Sequence, residues 1–383
     1  MIYDFFHVIL ACLFFEVVLF DLLRIDWDEK IYKFTFNVTW IILALIAAFR
    51  YGVGSDTVNY MVAYSYIPTL SELDVTDFVR FRFSPLYLIV NSLCRTITDS
   101  FLLLQILQAS VFFGGTYFLL KYYNIRKLYI ILFFYLFLFF IEGLSAMRES
   151  LAMGACFFSM KFYEEEKWVK FGLLILLAFM LHSGALIFAI LPVVKYVSRK
   201  GNRGVIALIA ATVILFVVGA KYVEGIQELF SFGDGSLGRY INKEEEEPTA
   251  ISVTNVVRNL ALIGIFVKYL FADKENVKFD FVLLAIIYSA IDVLSGKFPM
   301  AMRLASYFQF ALFYALVMVV ERWSKHPAIR VAIIVVFFYQ PFARYLFLFD
   351  DYGYDPYCSY FSSDKSYYEN VLKTSVASDY VLF

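Results

Sequence analysis

Apolar runs close to membrane-spanning length recur along almost the whole chain, separated by short polar breaks. A helix needs roughly 20 residues to cross about 30 Å of hydrocarbon. Runs near that length fall at 2–20, 33–49, 101–120, 128–141, 147–162, 168–181, 184–197, 204–221, 254–271, 279–296, 303–320 and 331–349. The pattern predicts about twelve transmembrane helices in a single integral membrane domain over 1–383, with no soluble domain and no clear repeat. One further apolar stretch, SPLYLIVNSLCRTI at 84–97, is short and carries Pro85, Asn91 and Arg95. It predicts an interfacial or re-entrant helix. Met1–Phe20 lacks a basic leading region and a small-residue cleavage site, so it reads as a first transmembrane helix and not a removed signal.

The basic residues support leaving 84–97 out of the spans. Six sets then share one face: Arg24, Lys30 and Lys33; Lys121, Arg126 and Lys127; Lys161, Lys167 and Lys170; Lys195, Arg199, Lys200 and Arg203; Lys268, Lys274 and Lys278; Arg322, Lys325 and Arg330. They hold 19 of the 33 lysines and arginines, all in short loops, and an excess of that kind marks the cytoplasmic side. The longer segments 50–100, 222–253 and 350–383 fall on the outer face, as do both termini. Loop 222–253 carries the acidic run KEEEEP, which reads as a solvated loop.

Composition agrees with a bilayer as solvent. Hydrophobic residues make up 61% of the chain and charged residues 17%, with a mean hydropathy of +0.71. Soluble domains are nearer half apolar and a quarter charged. The net charge of −1 gives a nucleic-acid partner no electrostatic support. The four cysteines form no CxxC or Cys/His cluster, so no metal site is expected, and with no nucleotide-binding motif in the sequence no cofactor is expected either.

This topology gathers scattered polar residues at the outer ends of spans. FRYGVGSDTVNY follows an apolar run and supplies Arg50, Gly52, Gly54 and Asp56. The glycines permit close backbone approach, Arg50 suits an anion, Asp56 suits proton abstraction, and the rings of Tyr51 and Tyr60 suit a sugar. Arg148 in LSAMRESLAMG lies among small residues that let helices approach closely. Arg303 in FPMAMRLASYF opens a helix, with Ser306 and Tyr307 one turn on. His182 sits at a helix break in FMLHSGAL. Asp292 lies within a span, where a charge is costly and needs a partner; it either serves a substrate or balances Arg303 or Arg344. Any single arginine at a helix end also suits lipid headgroups. Several guanidinium groups converging at one leaflet, however, suit a lipid-borne anion such as a diphosphate, which they bind bidentately.

FRYGVGSDTVNY resembles the hallmark of the EpsG family of bacterial membrane proteins, an arginine–aromatic–glycine–x–glycine–x–aspartate run followed by Asn and Tyr. That family is similar to Wzy-type polymerases. The resemblance extends in order through FSPLYLIVNSL, SAMRESLA, FMLHSGALI, MRLASYF and the late PY of YDPYCSYF. Glu149 departs from a common glutamine and Ser55 from a common threonine, without removing a candidate role. The resemblance implies a polymerase of undecaprenyl-diphosphate-linked repeat units of O-antigen, capsule or exopolysaccharide, at the outer face of the inner membrane. It implies a chain-length regulator and a flippase of the same pathway as partners. It carries Arg50, Gly52, Gly54, Asp56, Arg148, His182 and Arg303 into motif positions, and the expected architecture is all-α, polytopic and GT-C-like. On this reading Arg148 and Arg303 hold the diphosphate. Asp56 is the first candidate base and His182 the second, while Arg50 holds Asp56 or binds phosphate; Asp292 and Arg344 join the substrate-binding set. A flippase for lipid-linked oligosaccharides is the alternative. It needs charges through the inner half of the bundle, where these spans are nearly uncharged.

Overall fold

The computed structural model describes residues 5–23, 27–81, 83–200, 253–272, 279–294, 299–323, 342, 345, 354 and 356–374. The predicted span 204–221, the loop 222–253 apart from its last residue, Arg344 and nearly all of 331–349 lie outside them. The described residues are helical and contain no β-strand, only one isolated β-bridge. Four helical stretches among them are long and apolar enough to cross a membrane: 5–22, 29–48, 102–122 and 128–145. The protein is a polytopic membrane protein, and its chain divides into two compact units.

The first unit comprises 1–158, 180–182 and 337–383. Helix α1 (Phe5–Glu16) continues in π-helical register over Val17–Leu22. Helix α2 (Glu29–Ala48) starts at Asp28, whose side chain accepts from the Lys30 amide. Its buried residues Phe36, Trp40, Leu43 and Ala47 recur every three to four positions, as a helix burying one stripe requires. Short helices α3 (Thr57–Tyr66), α4 (Asp77–Arg80) and α5 (Pro85–Ile97) follow. With 13 residues, α5 is too short to cross the bilayer, and it buries Tyr87, Leu88, Asn91 and Cys94 while exposing Leu93 and Ile97. Pro85 occupies the first turn, where its missing N–H costs nothing.

Helix α6 (Leu102–Tyr122) packs along α2, and the Trp40 indole donates to the Phe113 carbonyl at 3.2 Å. Helix α7 (Leu128–Phe134) runs on as a π-helix over Tyr135–Ser145. This stretch is apolar on every side and almost wholly buried, so it forms the middle of the unit. Helix α8 (Met147–Glu164) follows a sharp turn at Ala146. The small residues around Arg148 do bring helices together: a Cβ on Gly115 of α6 would lie 2.6 Å from the Gly154 carbonyl of α8.

At the opposite end of this unit, one carboxylate joins three elements. Asp21 accepts from the Tyr32 hydroxyl at 2.7 Å and from the Tyr129 amide at 2.9 Å, and Tyr32 in turn accepts from the Leu128 amide at 3.0 Å. Two otherwise orphaned amides at the start of α7 are thereby capped from another part of the chain. Asp21→Ala is expected to lower stability by about 1–2 kcal/mol. Thermal unfolding in detergent checks this, and Tyr32→Phe should show a smaller loss.

The second unit comprises 159–179 and 183–336. Helix α9 (Trp168–Leu181) is followed by a 3₁₀ segment (Ser183–Ile190) and α10 (Leu191–Ser198). Then come α11 (Val253–Ala272), α12 (Phe279–Leu294), α13 (Pro299–Ser306) and α14 (Gln309–Trp323). Helix α12 is central, buried from Phe281 to Tyr288 and packed against α10, α11, α13 and α14. The predicted span 303–320 is interrupted: α13 ends at Ser306 and α14 begins at Gln309, with Tyr307 and Phe308 in the break. The rings of Tyr307, Phe308 and Phe310 pack around Phe188, which anchors the break.

Candidate functional site

The polar stretch after α2 turns back on itself before α3. Gly52 has φ +72° and Gly54 φ +111°, conformations that side chains oppose. At Gly54 a Cβ would lie 2.8 Å from both the Leu144 carbonyl and the Ser145 hydroxyl, so the loop backbone lies directly on the end of the π-helical segment. The Thr57 hydroxyl adds a hydrogen bond to the Leu144 carbonyl at 2.8 Å. Asp56, partly exposed, stands at the start of α3. One turn on, the Tyr60 hydroxyl accepts from Arg148 Nε at 3.3 Å, and the Arg148 guanidinium lies 5.7 Å from the Phe83 ring centre. Tyr60 and Phe83 are both buried, so Tyr60 serves the arginine and offers no open ring face.

Arg50 is entirely buried. Its Nη1 donates to the Ala47 carbonyl and, at 3.4 Å, to Gln108 Oε1, rather than reaching Asp56. Gln108 passes the connection on: its Nε2 donates to Ser150 Oγ at 2.7 Å and to the Gly143 carbonyl at 3.2 Å. Ser150 lies two residues past Arg148 in the first turn of α8. Arg50 of the loop and the helix start that carries Arg148 are thus joined through one glutamine. Burial draws the Arg50 guanidinium down to about 10, which leaves it charged at neutral pH.

The C-terminal segment closes over this loop. Arg50 and Ser359 form an antiparallel bridge, with the Tyr51 amide donating to the Cys358 carbonyl at 2.8 Å and the Tyr360 amide to the Phe49 carbonyl at 2.9 Å. The Tyr354 and Ser145 hydroxyls are 2.8 Å apart, and the Tyr357 hydroxyl donates to the Ile46 carbonyl at 3.1 Å. Lys365 Nζ lies 5.2 Å from the Tyr51 ring centre, so one face of that ring carries a cation. Helix α15 (Ser366–Thr374) sets Tyr368 against Gly52. Sequence reasoning missed these partners. Two glutamines at 105 and 108 within an apolar span, and a tyrosine-rich tail, were the available signals.

Within the first unit the chain therefore brings together Arg50, Gly52, Gly54, Asp56 and Arg148. His182, also of that unit, is buried, at the position in the chain where α9 ends. Asp292 and Arg303 belong to the second unit. Asp292 is buried and accepts from the Asn259 amide at 2.8 Å; Asn259 lies on α11. Arg303 is half-buried in the last turn of α13, not at a helix start, and its carbonyl accepts from Ser306 Oγ at 2.7 Å. Among the described residues no group of His, Cys, Asp and Glu has the arrangement of a metal site. Cys94 and Cys358 are both free thiols.

Compared with known proteins, the chain matches one family model, described as the EpsG family, over residues 33–362. No curated protein and no solved structure is similar enough to match.

Proposed function

The chain belongs to the EpsG family, which includes Wzy-like polymerases, and from that premise we propose that it joins undecaprenyl-diphosphate-linked oligosaccharide repeat units into O-antigen, capsule or exopolysaccharide. The observation that carries the reading is the convergence of the motif loop and α8. Arg148 meets Tyr60 of α3, and Arg50 reaches the Arg148 helix through Gln108 and Ser150. A loop with an anion-binding residue and a proton acceptor, fixed to a second arginine, suits transfer from a lipid diphosphate.

In the proposed reaction an acceptor hydroxyl attacks the anomeric carbon of the donor. The bond from that carbon to the diphosphate oxygen breaks, and undecaprenyl diphosphate leaves with the electron pair. The hydroxyl proton passes to Asp56, with His182 as the second candidate. Diphosphate is a competent leaving group, so the protein's main tasks are to position two lipids and to stabilise departing charge. Arg148 takes the diphosphate in this scheme. The proposal sets about twelve helices in a GT-C-like arrangement in a bacterial inner membrane, with the chemistry on the outer side where the positive-inside pattern leaves the motif loop.

The experiment is purified protein with a synthetic lipid-diphosphate repeat unit and no nucleotide. Longer glycans on a gel are the expected result. Unextended substrate, together with transfer of the lipid across vesicle membranes, would instead mark a flippase.

A further inference from the structure

The Arg50 guanidinium is half used. Its Nη1 is bonded to the Ala47 carbonyl and Gln108, while Nε and Nη2 are buried with no hydrogen-bond partner among the described residues. These two nitrogens form one edge of the fork, the edge that binds a phosphate or carboxylate through two parallel hydrogen bonds. Among the described residues no carboxylate pairs with Arg50. The polar groups around it include the phenols of Tyr87, Tyr354, Tyr357 and Tyr360. They are neutral, and burial raises Tyr357 to about 12. A charged donor edge out of water with no counter-charge is costly, and both of its atoms can only donate. An anion is the chemical partner it lacks. One turn from Gln108 on α6, Gln105 is also buried, and neither of its amide atoms is bonded among the described residues.

We propose that the Nε–Nη2 edge of Arg50 is an oxyanion site enclosed by the C-terminal segment, and that its occupant is a phosphate group of the lipid diphosphate. This rests on the polymerase reading for the source of the phosphate, not for the site itself. Arg50 is 0% exposed, and the C-terminal segment that pairs with its backbone runs through Cys358 and Ser359. Occupancy and docking of residues 356–368 are therefore linked: the anion enters as the segment shifts. Cys358, a free thiol only 5% exposed beside Ser359, reports that shift.

The test uses the full chain in detergent. Alkylation of Cys358 is followed by mass spectrometry with undecaprenyl diphosphate, inorganic diphosphate or phosphate-free undecaprenol. The expected result is a severalfold change in rate with undecaprenyl diphosphate and none with undecaprenol. An equal response to inorganic diphosphate keeps the oxyanion site and overturns its assignment to the lipid. Arg50→Lys keeps the charge and loses the fork, so affinity for undecaprenyl diphosphate should fall about tenfold. Unchanged affinity in that variant overturns the proposal. If the variant does not fold, the wild-type alkylation decides alone, and an unmoved Cys358 at saturating lipid ends the idea. Elongation measured on the same preparation separates the two readings. Normal elongation with an unmoved Cys358 sinks the site only. A diphosphate response without elongation keeps the site and sinks the polymerase.

Discussion

Replacing Arg148 with alanine is expected to leave the native host with single repeat units in place of a long glycan ladder. Arg148 is buried, bonded to Tyr60 and set over Phe83, so its guanidinium is held in place before any substrate arrives. A preorganised cation facing departing negative charge supplies transition-state stabilisation, and removing one such group lowers rates by roughly 10²–10³. Arg148→Lys should recover only part of the activity, because an ammonium lacks the planar fork. Protein level by immunoblot and glycan length on a gel are read together. A full ladder from a normally accumulated Arg148→Ala protein would remove this residue from the chemistry.

Gly54→Ala is expected to disable the protein by a different route. At φ +111° an alanine is strained whatever space surrounds it, at a cost of about 1–3 kcal/mol. Here the space is filled as well, since the new methyl group would meet the Leu144 carbonyl and Ser145 Oγ. Neither obstacle yields easily: one is backbone, and the other is bonded to Tyr354. The loop must lift from the π-helical end, taking Asp56 with it, so polymer should be lost while the helices remain. Gly172→Ala is the matched control. It lies in α9 with nothing within 4 Å of its would-be Cβ, and it should be neutral or slightly stabilising. Circular dichroism and glycan length for the two variants check the contrast. Equal glycan length would refute the strained-loop account.

Residues whose role depends on nearby positions were legible. The period of α2, the shortness of 84–97 and the break at His182 all follow from local pattern, and local pattern sets helices. The break after Ser306 was not legible, because MRLASYFQFALF has no proline or glycine to mark it and the aromatic rings of the break pack around Phe188. The π-helical register of 135–145 was likewise hidden, since an apolar run does not state its residues per turn. At the site, sequence alone pointed to Arg50 and Arg148 but not to their connection. That connection is Gln108, 58 residues from Arg50 and 42 from Ser150. A glutamine in an apolar helix signals that a polar partner exists without naming it. The tail's role was equally closed, for no periodicity links residues 354–368 to residues 49–52.

That pairing has a consequence for biosynthesis. Tyr357 bonds a carbonyl 311 residues earlier in the chain, and the bridge at Arg50 has a comparable span. A ribosome delivers the loop near residue 50 early and its cover late. Contacts of such long sequence separation are slow to form. Until they do, a nascent chain carries inserted helices with an unfinished mouth.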